Sequence, residues 1–340
     1  MFFLSPPLHP NSENVRMRLR FTLFIVIALT LIGRPSTDAD VGKIGGVGYA
    51  DYYYVASADD TDPGQIPEKQ NAFRMRRLYL TYNQDVSERF DVRFRLEAND
   101  AGFGKTAKMV PFVKHGYLKW KGALGGDLYL GLSGTPTWGI SESYWGYRAV
   151  EKTILDLNGI GSSADVGVGL TGATGALDYH IMVANGPGQR PETDNGKKFY
   201  GSLSTRPSDA LVLEVYADLD LRPADQNRLT AKGFAGIESG GLRLGVEPFI
   251  RINSEAGTGG DDETITGASI FASLPVGNNR VFGRFDLVSN DDADTSEMFI
   301  LAGYDWTVEK GLHIIPNIHI QLPDGPDPNI QARVTAYYKF

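Results

Sequence analysis

The feature that most constrains this chain is a repeated alternation of apolar and polar residues between Lys43 and Phe340. It recurs in stretches of about ten residues, whereas no long segment has helical periodicity. The clearest stretch, FDVRFRLEAN at 90–99, has one wholly apolar face and one polar, mostly charged face. A single strand of this kind also fits a soluble sheet, so the number of strands and their connections must decide the fold class.

The same pattern predicts sixteen strands, an even number, as a closed single-chain outer-membrane barrel requires. They span 43–57, 73–86, 89–99, 110–121, 126–134, 165–172, 176–184, 198–206, 210–218, 228–238, 241–251, 264–273, 279–288, 297–306, 311–321 and 330–340.

The connections between these strands alternate between short and long. The even-numbered ones are short, at 87–88, 122–125, 173–175, 207–209, 239–240, 274–278 and 307–310. The odd-numbered ones are generally longer, including 58–72, 135–164, 185–197, 252–263 and 322–329. Outer-membrane barrels have this rhythm of periplasmic turns and external loops, which a sandwich or jelly roll does not require. The sequence therefore predicts an all-β fold, an up-and-down antiparallel transmembrane barrel of about sixteen strands.

Composition agrees with a two-faced chain. Hydrophobic residues make up 42% and charged residues 22%, which is too polar for a helical membrane protein. The absence of cysteine excludes disulfides and thiolate chemistry. A net charge of -8 disfavours nucleic acid as a partner, because nucleic-acid-binding proteins usually carry a basic surplus.

The N-terminal region has the pattern of a secretory leader. Arg16, Arg18 and Arg20 precede an apolar run at 21–33, and Thr37-Asp38-Ala39 forms a small-residue cleavage site. We expect a leader region at 1–39, with the signal peptide at about 17–39, and a β-barrel pore domain at 40–340. The alternative is an uncleaved anchor. Met17 fits a signal-peptide start better than Met1 does. Cleavage would deliver the chain to the outer membrane of a Gram-negative bacterium.

Strand parity assigns apolar side chains to an outer, lipid-facing surface. The sets are Leu128, Leu130 and Leu132; Leu177, Tyr179, Ile181 and Val183; Leu211, Leu213 and Val215; Met298, Ile300, Ala302, Tyr304 and Trp306; and Ile330, Ala332, Val334, Ala336, Tyr338 and Phe340. Aromatic residues near strand ends suit the headgroup level of a bilayer. The girdle candidates are Tyr52, Tyr53, Tyr54, Trp120, Trp306, Tyr338 and Phe340, with ordinary core aromatics as the alternative.

The third external connection, Gly134 to Ala164, is far longer than its neighbours and rich in aromatic residues. Loops of this length are usually functional or disordered, and its apolar content disfavours disorder. Val150, Ile154 and Leu157 have helical spacing, so we expect the loop to fold inward, pack on the barrel wall and narrow the pore. The constriction-loop candidates are Glu142, Arg148, Glu151, Lys152 and Asp156. The alternative is a lid outside the barrel mouth or against a neighbouring subunit.

The same parity predicts which charges line the lumen. The pore-lining cations are Arg77, Arg93, Arg95, Lys119, Lys198, Lys232, Arg243, Arg251, Arg280, Arg284 and Arg333, with Lys339 at the end of the last strand. Nine acids oppose them: Asp91, Glu97, Asp127, Asp178, Glu214, Asp218, Glu247, Asp286 and Asp305. This modest surplus predicts a water-filled channel for small polar solutes and ions with weak anion preference. Salt bridges along the wall are the alternative role for any one of these residues.

The motifs that would indicate an enzyme or a metal site are incomplete in this sequence. Gly102-Phe103-Gly104-Lys105-Thr106 lacks the first glycine of a phosphate-binding loop, and Gly131-Leu132-Ser133-Gly134 lacks the last glycine of a nucleophile elbow. The external acidic groups lack EF-hand spacing, so they predict solvated charge and no metal site: Asp59, Asp60, Asp62, Asp261, Asp262, Glu263, Asp291, Asp292 and Asp294. We expect no enzymatic activity and no cofactor. The alternatives are an embedded barrel enzyme, an adhesin or a soluble periplasmic β protein.

Three segments resemble Gram-negative porins, and more narrowly the phosphate-selective porin O and P family. They are FRMRRL at 73–78, LGLSGTP at 130–136 and the C-terminal YYKF at 337–340. The resemblance implies a sixteen-stranded homotrimer with an inward third loop, in contact with outer-membrane lipid and lipopolysaccharide. The family's phosphate specificity rests on a dense arginine ladder with lysines at the constriction. The mixed lumen of this chain does not reproduce that ladder, so we expect the architecture and passive transport to carry over, with phosphate selectivity open.

Overall fold

The computed structural model describes residues 41–58, 66–100, 102, 107–325 and 327–340. The expected leader at 1–39, the acidic group Asp59, Asp60 and Asp62, and most of the 102–106 segment lie outside the described residues.

Sixteen antiparallel strands form one closed barrel in which each strand pairs with its neighbours along the chain and the last pairs with the first. The fold class is therefore the predicted one. The strands are β1 (Lys43–Ser57), β2 (Asn71–Asp85), β3 (Phe90–Asn99), β4 (Val110–Ala123), β5 (Gly126–Gly134), β6 (Ala164–Thr174), β7 (Leu177–Ala184), β8 (Lys197–Ser208), β9 (Leu211–Leu221), β10 (Arg228–Ser239), β11 (Leu242–Asn253), β12 (Glu263–Val276), β13 (Asn279–Asn290), β14 (Thr295–Glu309), β15 (Leu312–Leu322) and β16 (Asn329–Lys339).

The seam between β1 and β16 closes the barrel and removes the free sheet edges. Gly46 and Phe340 exchange two backbone hydrogen bonds of 2.9 and 3.0 Å. Outward-facing glycines leave room for aromatic rings at the C-terminal end of the chain to lie across the seam, since a Cβ on Gly46 or Gly48 would overlap the ring of Phe340 or Tyr338. The terminal aromatic residues thus stabilise closure as well as covering the outer surface.

The short connections are tight turns, most of them two residues long. Gly240 and Gly241 both have positive φ, as the preferred two-residue hairpin turn requires. Leu124 and Gly125 share this backbone geometry. All short turns lie at one end of the barrel, here called the short-turn end, and the longer connections lie at the other.

The two faces of the wall differ as the alternation predicts. Large apolar side chains such as Ile181, Val215 and Ile270 are 50% exposed or more on the outer face. The girdle candidate Tyr53 does not share that face, and the prediction for it is wrong. Its ring is buried on the inner side with Val55 and Ile66, because it has the same parity as Val55 and the opposite parity from its exposed neighbours, Tyr52 and Tyr54.

Two short helices lie in the long third connection, α1 (Gly139–Trp145) and α2 (Ile154–Leu157). Single 3-10 turns occur at Pro223–Asp225 and Thr258–Gly260. None of the helices in the described part of the chain has the length and apolarity needed to cross a bilayer.

Candidate functional site

The third long connection, residues 135–163 and called the L3 segment below, packs against aromatic side chains on the inner wall. Trp145 is 1% exposed, and its ring meets that of Phe271 edge-on at 5.4 Å. The Tyr147 ring stacks on Phe282 at 3.9 Å, and Tyr144 meets Phe234 at 5.6 Å. These phenylalanines alternate with outward-facing residues of β10, β12 and β13, so the L3 segment contacts the inside of the barrel.

A buried polar cluster fixes α1 to the same wall. The Ser141 hydroxyl donates to a Glu247 carboxylate oxygen at 2.7 Å. Lys232 lies beneath it, with its Nζ 3.2 Å from Glu247 and 3.1 Å from Glu214. Each carboxylate also accepts one serine hydrogen bond, Glu247 from Ser141 and Glu214 from Ser202, and both pair with Lys232, as burial of their charge demands.

Other contacts tie the L3 segment to the strands on either side of the barrel seam. The Arg76 guanidinium on β2 donates to the Val150 carbonyl at 2.8 Å. The Glu151 carboxylate lies 3.7 Å from both Arg333 on β16 and His319 on β15. Burial acts to raise the pKa of Glu151, but His319, Arg333 and Arg76 more than offset it and lower that pKa to about 2. Glu151 is therefore ionised at neutral pH.

An irregularity in β2 directs three arginines to the lumen. Tyr49 pairs with Arg77 and Ala50 with Met75, so Arg76 is an extra residue in a β-bulge. Arg74 precedes the bulge, and its side chain, like those of Arg76 and Arg77, is on the inner side, where it forms ion pairs. Without the bulge, strict alternation would turn one of two adjacent arginines toward the outer face.

A second bulge in β4 adds another inward cation. Arg95 pairs with His115 and Leu96 with Val113, which leaves Lys114 as the extra residue. The Lys114 ammonium lies 3.2 Å from the Glu97 carboxylate, which also pairs with Arg77 at 3.1 Å. Cations at or beside both bulges thus pair with the same acid, Glu97.

A cleft of about 360 Å³ lies between the L3 segment and the wall formed by β1, β2, β3 and β16. Six of its lining side chains are cationic and two are carboxylates. The cations are Arg74, Arg76, Arg77, Arg148, Lys152 and Arg333, and the acids are Asp100 and Glu151. Asp51, which is buried behind Arg76 at 3.0 Å, offsets part of this charge. The lining itself therefore has more cations than acids, although each of the six cations forms an ion pair with a carboxylate of the wall or of the L3 segment.

The charged residues predicted on the L3 segment pair mostly with one another. Arg148 contacts Glu142 at 2.9 Å and Asp156 at 2.8 Å, while Lys152 lies 3.9 Å from Asp156. Glu151 instead pairs with the wall. Arg148, Glu151 and Lys152 reach the cleft, whereas Glu142 and Asp156 are absent from its lining and act on it through Arg148.

The eleven predicted pore-lining cations all lie at inward positions, but the structure brings only two, Arg77 and Arg333, into the cleft. Arg93 and Arg95 lie nearer the short-turn end on β3. Lys119 pairs with Asp91 and Asp127, and Arg243 with Glu238. The remaining partly exposed members are hydrogen-bonded elsewhere on the wall: Arg251 to Asn253, and Arg280 to Ser273 and the Gly241 carbonyl.

Three predicted pore-lining cations are buried, and the expectation that they line open space is wrong for them. Lys232 has no exposed side-chain surface beneath α1. Arg284 is 1% exposed because it binds Asp286 and the Lys152 carbonyl under the L3 segment. Lys198 is 7% exposed and pairs with Asp218 at 3.0 Å. Parity gives the direction of a side chain and cannot show what covers it.

Sequence reasoning missed Arg74, Arg76 and Lys114 as inward residues. The signal was present in the adjacent basic pairs Arg76-Arg77 and Lys114-His115, because one member of each would face lipid unless the strand contained a bulge.

No protein-family model matches this chain, and no curated protein sequence matches it. Solved structures do resemble it. The anion-selective porin from Comamonas acidovorans has a TM-score of 0.64 at 14% identity, over 88% of this chain and 99% of that chain. OmpF of Salmonella typhi, solved with daunomycin, has a TM-score of 0.65 at 12% identity, over 89% and 98%.

A third similar structure is the trimer form of OmpT, an outer membrane protein of Vibrio cholerae. It has a TM-score of 0.62 at 12% identity, over 89% of this chain and 100% of that chain. At such low identity these likenesses show the fold alone, a sixteen-stranded barrel of the porin kind.

Proposed function

We propose that this protein is an outer-membrane porin, a water-filled channel through which small polar solutes and ions diffuse passively. The observation that carries the proposal is the pairing of an apolar outer surface with a charged cleft between the L3 segment and the opposite wall. A lipid-facing exterior and a polar interior are the properties of a transmembrane pore. The L3 segment would form the narrowest part of the passage.

The proposed channel prefers anions weakly. Six cations against two acids line the cleft, and fixed charge in a confined passage attracts ions of the opposite sign. The proposal covers small anions in general and not phosphate in particular, because Glu142, Glu151 and Asp156 lie among the same cations.

The reversal potential across a KCl gradient tests this preference. We expect chloride to be more permeant than potassium, and Arg77→Gln to lower the permeability ratio by roughly twofold, since one fixed charge is worth about 0.5 kcal/mol at partly screened distances. Arg243→Gln, outside the cleft, is the matched control and should leave the ratio unchanged. Cation selectivity of the unmodified channel would reject the preference.

The proposed setting is the outer membrane of a Gram-negative bacterium, reached after removal of the leader, with lipid and lipopolysaccharide around a homotrimer. The trimer form of OmpT supports the last point by likeness of fold. Membrane fractionation, N-terminal sequencing of the mature chain and crosslinking in membranes test these three features. A freely soluble product would contradict the membrane location. A mature chain that begins before Phe21 would contradict removal of the leader, and a monomer would contradict the trimer.

The competing proposal is a barrel with no transport role, either an embedded enzyme or an adhesin. We favour a non-enzymatic channel because two of the inner-face histidines, His313 and His319, have structural surroundings. His313 bonds to Asp305 at 2.7 Å, and His319 lies against Glu151 and Asn317.

A further inference from the structure

A chain of tyrosine rings crosses the inner wall from β16 to β5. It includes one residue of the cleft lining, Tyr49, and extends on the short-turn side of the cleft. Its members are Tyr337, Tyr49, Tyr79, Tyr117 and Tyr129, called the tyrosine belt below. Ring centroids of Tyr337 and Tyr49 are 5.9 Å apart, and those of Tyr49 and Tyr79 are 6.1 Å apart. On β4 and β5, Tyr117 and Tyr129 meet edge-on at 5.3 Å.

Two arginines of β3 join the halves of the belt. The Arg95 guanidinium lies 5.4 Å from the Tyr79 ring, and the Arg93 guanidinium lies 5.9 Å from the Tyr117 ring. The wall therefore presents two groups of rings with the flat guanidinium groups of Arg93 and Arg95 between them. Such surfaces stack well with other planar groups.

Among the residues that the structure describes, no carboxylate forms an ion pair with Arg93 or Arg95. Arg93 donates to the Asn83 side-chain oxygen at 2.7 Å, and Arg95 donates to the Thr81 hydroxyl at 2.8 Å. Within the described part of the chain, neither guanidinium forms an ion pair, in contrast to Lys119, which has two acidic partners. Each arginine thus retains donors for an incoming anion.

The belt faces the passage. The L3 segment packs on β10, β12 and β13, whereas the belt occupies the opposite wall. Tyr79, Tyr117, Tyr129 and Tyr337 all remain partly exposed. On β2, Tyr79 follows Arg77 toward the short-turn end, so a solute that leaves the cleft meets the belt next.

We propose that the tyrosine belt is a binding site for small aromatic carboxylates. The carboxylate would accept hydrogen bonds from Arg93 or Arg95, and the ring would stack on Tyr117 or Tyr129. An aliphatic carboxylate would gain only the first interaction. The inference rests on the proposed function for the passage of such solutes, but binding itself requires only the folded barrel.

The decisive comparison uses benzoate and cyclohexanecarboxylate, which have the same charge and ring size and differ in the aromatic face. Equilibrium binding to the refolded full chain in detergent should favour benzoate by about threefold to tenfold. The double variant Tyr117→Leu/Tyr129→Leu should bring the ratio near one. Tyr117→Phe, which keeps the ring, should preserve it.

Tyr304→Leu, on the outer face of β14, is the control for loss of a tyrosine elsewhere, and heat-dependent gel mobility shows that each variant is folded. Equal binding of the two acids to the unmodified protein, or a preference that survives the double leucine variant, would overturn the inference. Bilayer recording of the same samples separates the two proposals. A barrel that binds benzoate through the belt but conducts no current would refute the channel and leave the belt intact.

Discussion

Lys232 is an inward-facing charge that stabilises the fold and does not line the passage. It has no exposed side-chain surface and lies within 3.2 Å of two carboxylates, those of Glu214 and Glu247. Lys232→Met would leave both acids buried beside each other without a cation. We predict a loss of about 3–5 kcal/mol in the free energy of unfolding, measured by urea denaturation in detergent. Lys339→Met, at the exposed end of β16, should change it little, and equal stability of the two variants would contradict the buried-pair interpretation.

Glu151 makes stability depend on pH in a defined direction. Its pKa is lowered to about 2 in the folded chain, below the ordinary value of about 4.3 in an unfolded one. A depressed carboxyl pKa contributes stability that is complete above pH ~4.5 and fades as the pH falls toward 2.

We therefore predict that Glu151→Gln lowers the free energy of unfolding at pH 7 by about 1–3 kcal/mol, and that this difference shrinks between pH 4.5 and pH 2. Unfolding curves of both proteins across this range measure it. A difference that stayed constant, or grew with acidity, would show that Glu151 does not act through its pairing with Arg333 and His319.

At the scale of elements, aromatic packing holds the L3 segment in place. Trp145 fills the contact with Phe271 and Phe282, and truncating a buried tryptophan costs about 3–5 kcal/mol. We predict that Trp145→Ala lets trypsin cleave at Arg148 or Lys152, which the folded chain protects. Trp306→Ala, on the outer face, should keep the protection. If Trp145→Ala stays resistant to trypsin, contacts other than those of Trp145 suffice to hold the L3 segment on the wall.

The L3 segment is also the element that narrows the proposed passage. Deleting 141–157 removes most of α1, which covers Lys232, together with the cations Arg148 and Lys152. We predict a larger single-channel conductance for the deletion variant. Removing 256–260 from another long connection is the control, with conductance unchanged. A deletion of 141–157 without effect would place the narrowest point elsewhere.

Strand number, order and most inward faces were predictable because alternation and connection length act locally along the chain. The bulges at Arg76 and Lys114 were not, since a bulge is visible only when two adjacent polar residues conflict with parity. The burial of Arg284 could not be predicted either. It depends on where the L3 segment packs, and that in turn depends on phenylalanines from three separate strands.

For the whole molecule, closure of the barrel, its apolar outer surface and its charged interior depend on one another. The seam between β1 and β16 satisfies the last backbone groups, the outer face is apolar, and the charged cleft lies within. Every backbone group that faces lipid needs such a partner, so closure and membrane insertion depend on each other. A barrel built in this way can reside in a bilayer and leave a polar passage through it.

The most direct test is single-channel recording of the purified protein in a planar lipid bilayer with KCl on both sides. We predict discrete, stepwise rises in current, each from the insertion of an open pore, with chloride carrying the larger share when a gradient is applied. Insertion of folded barrels without any stepwise current would contradict it.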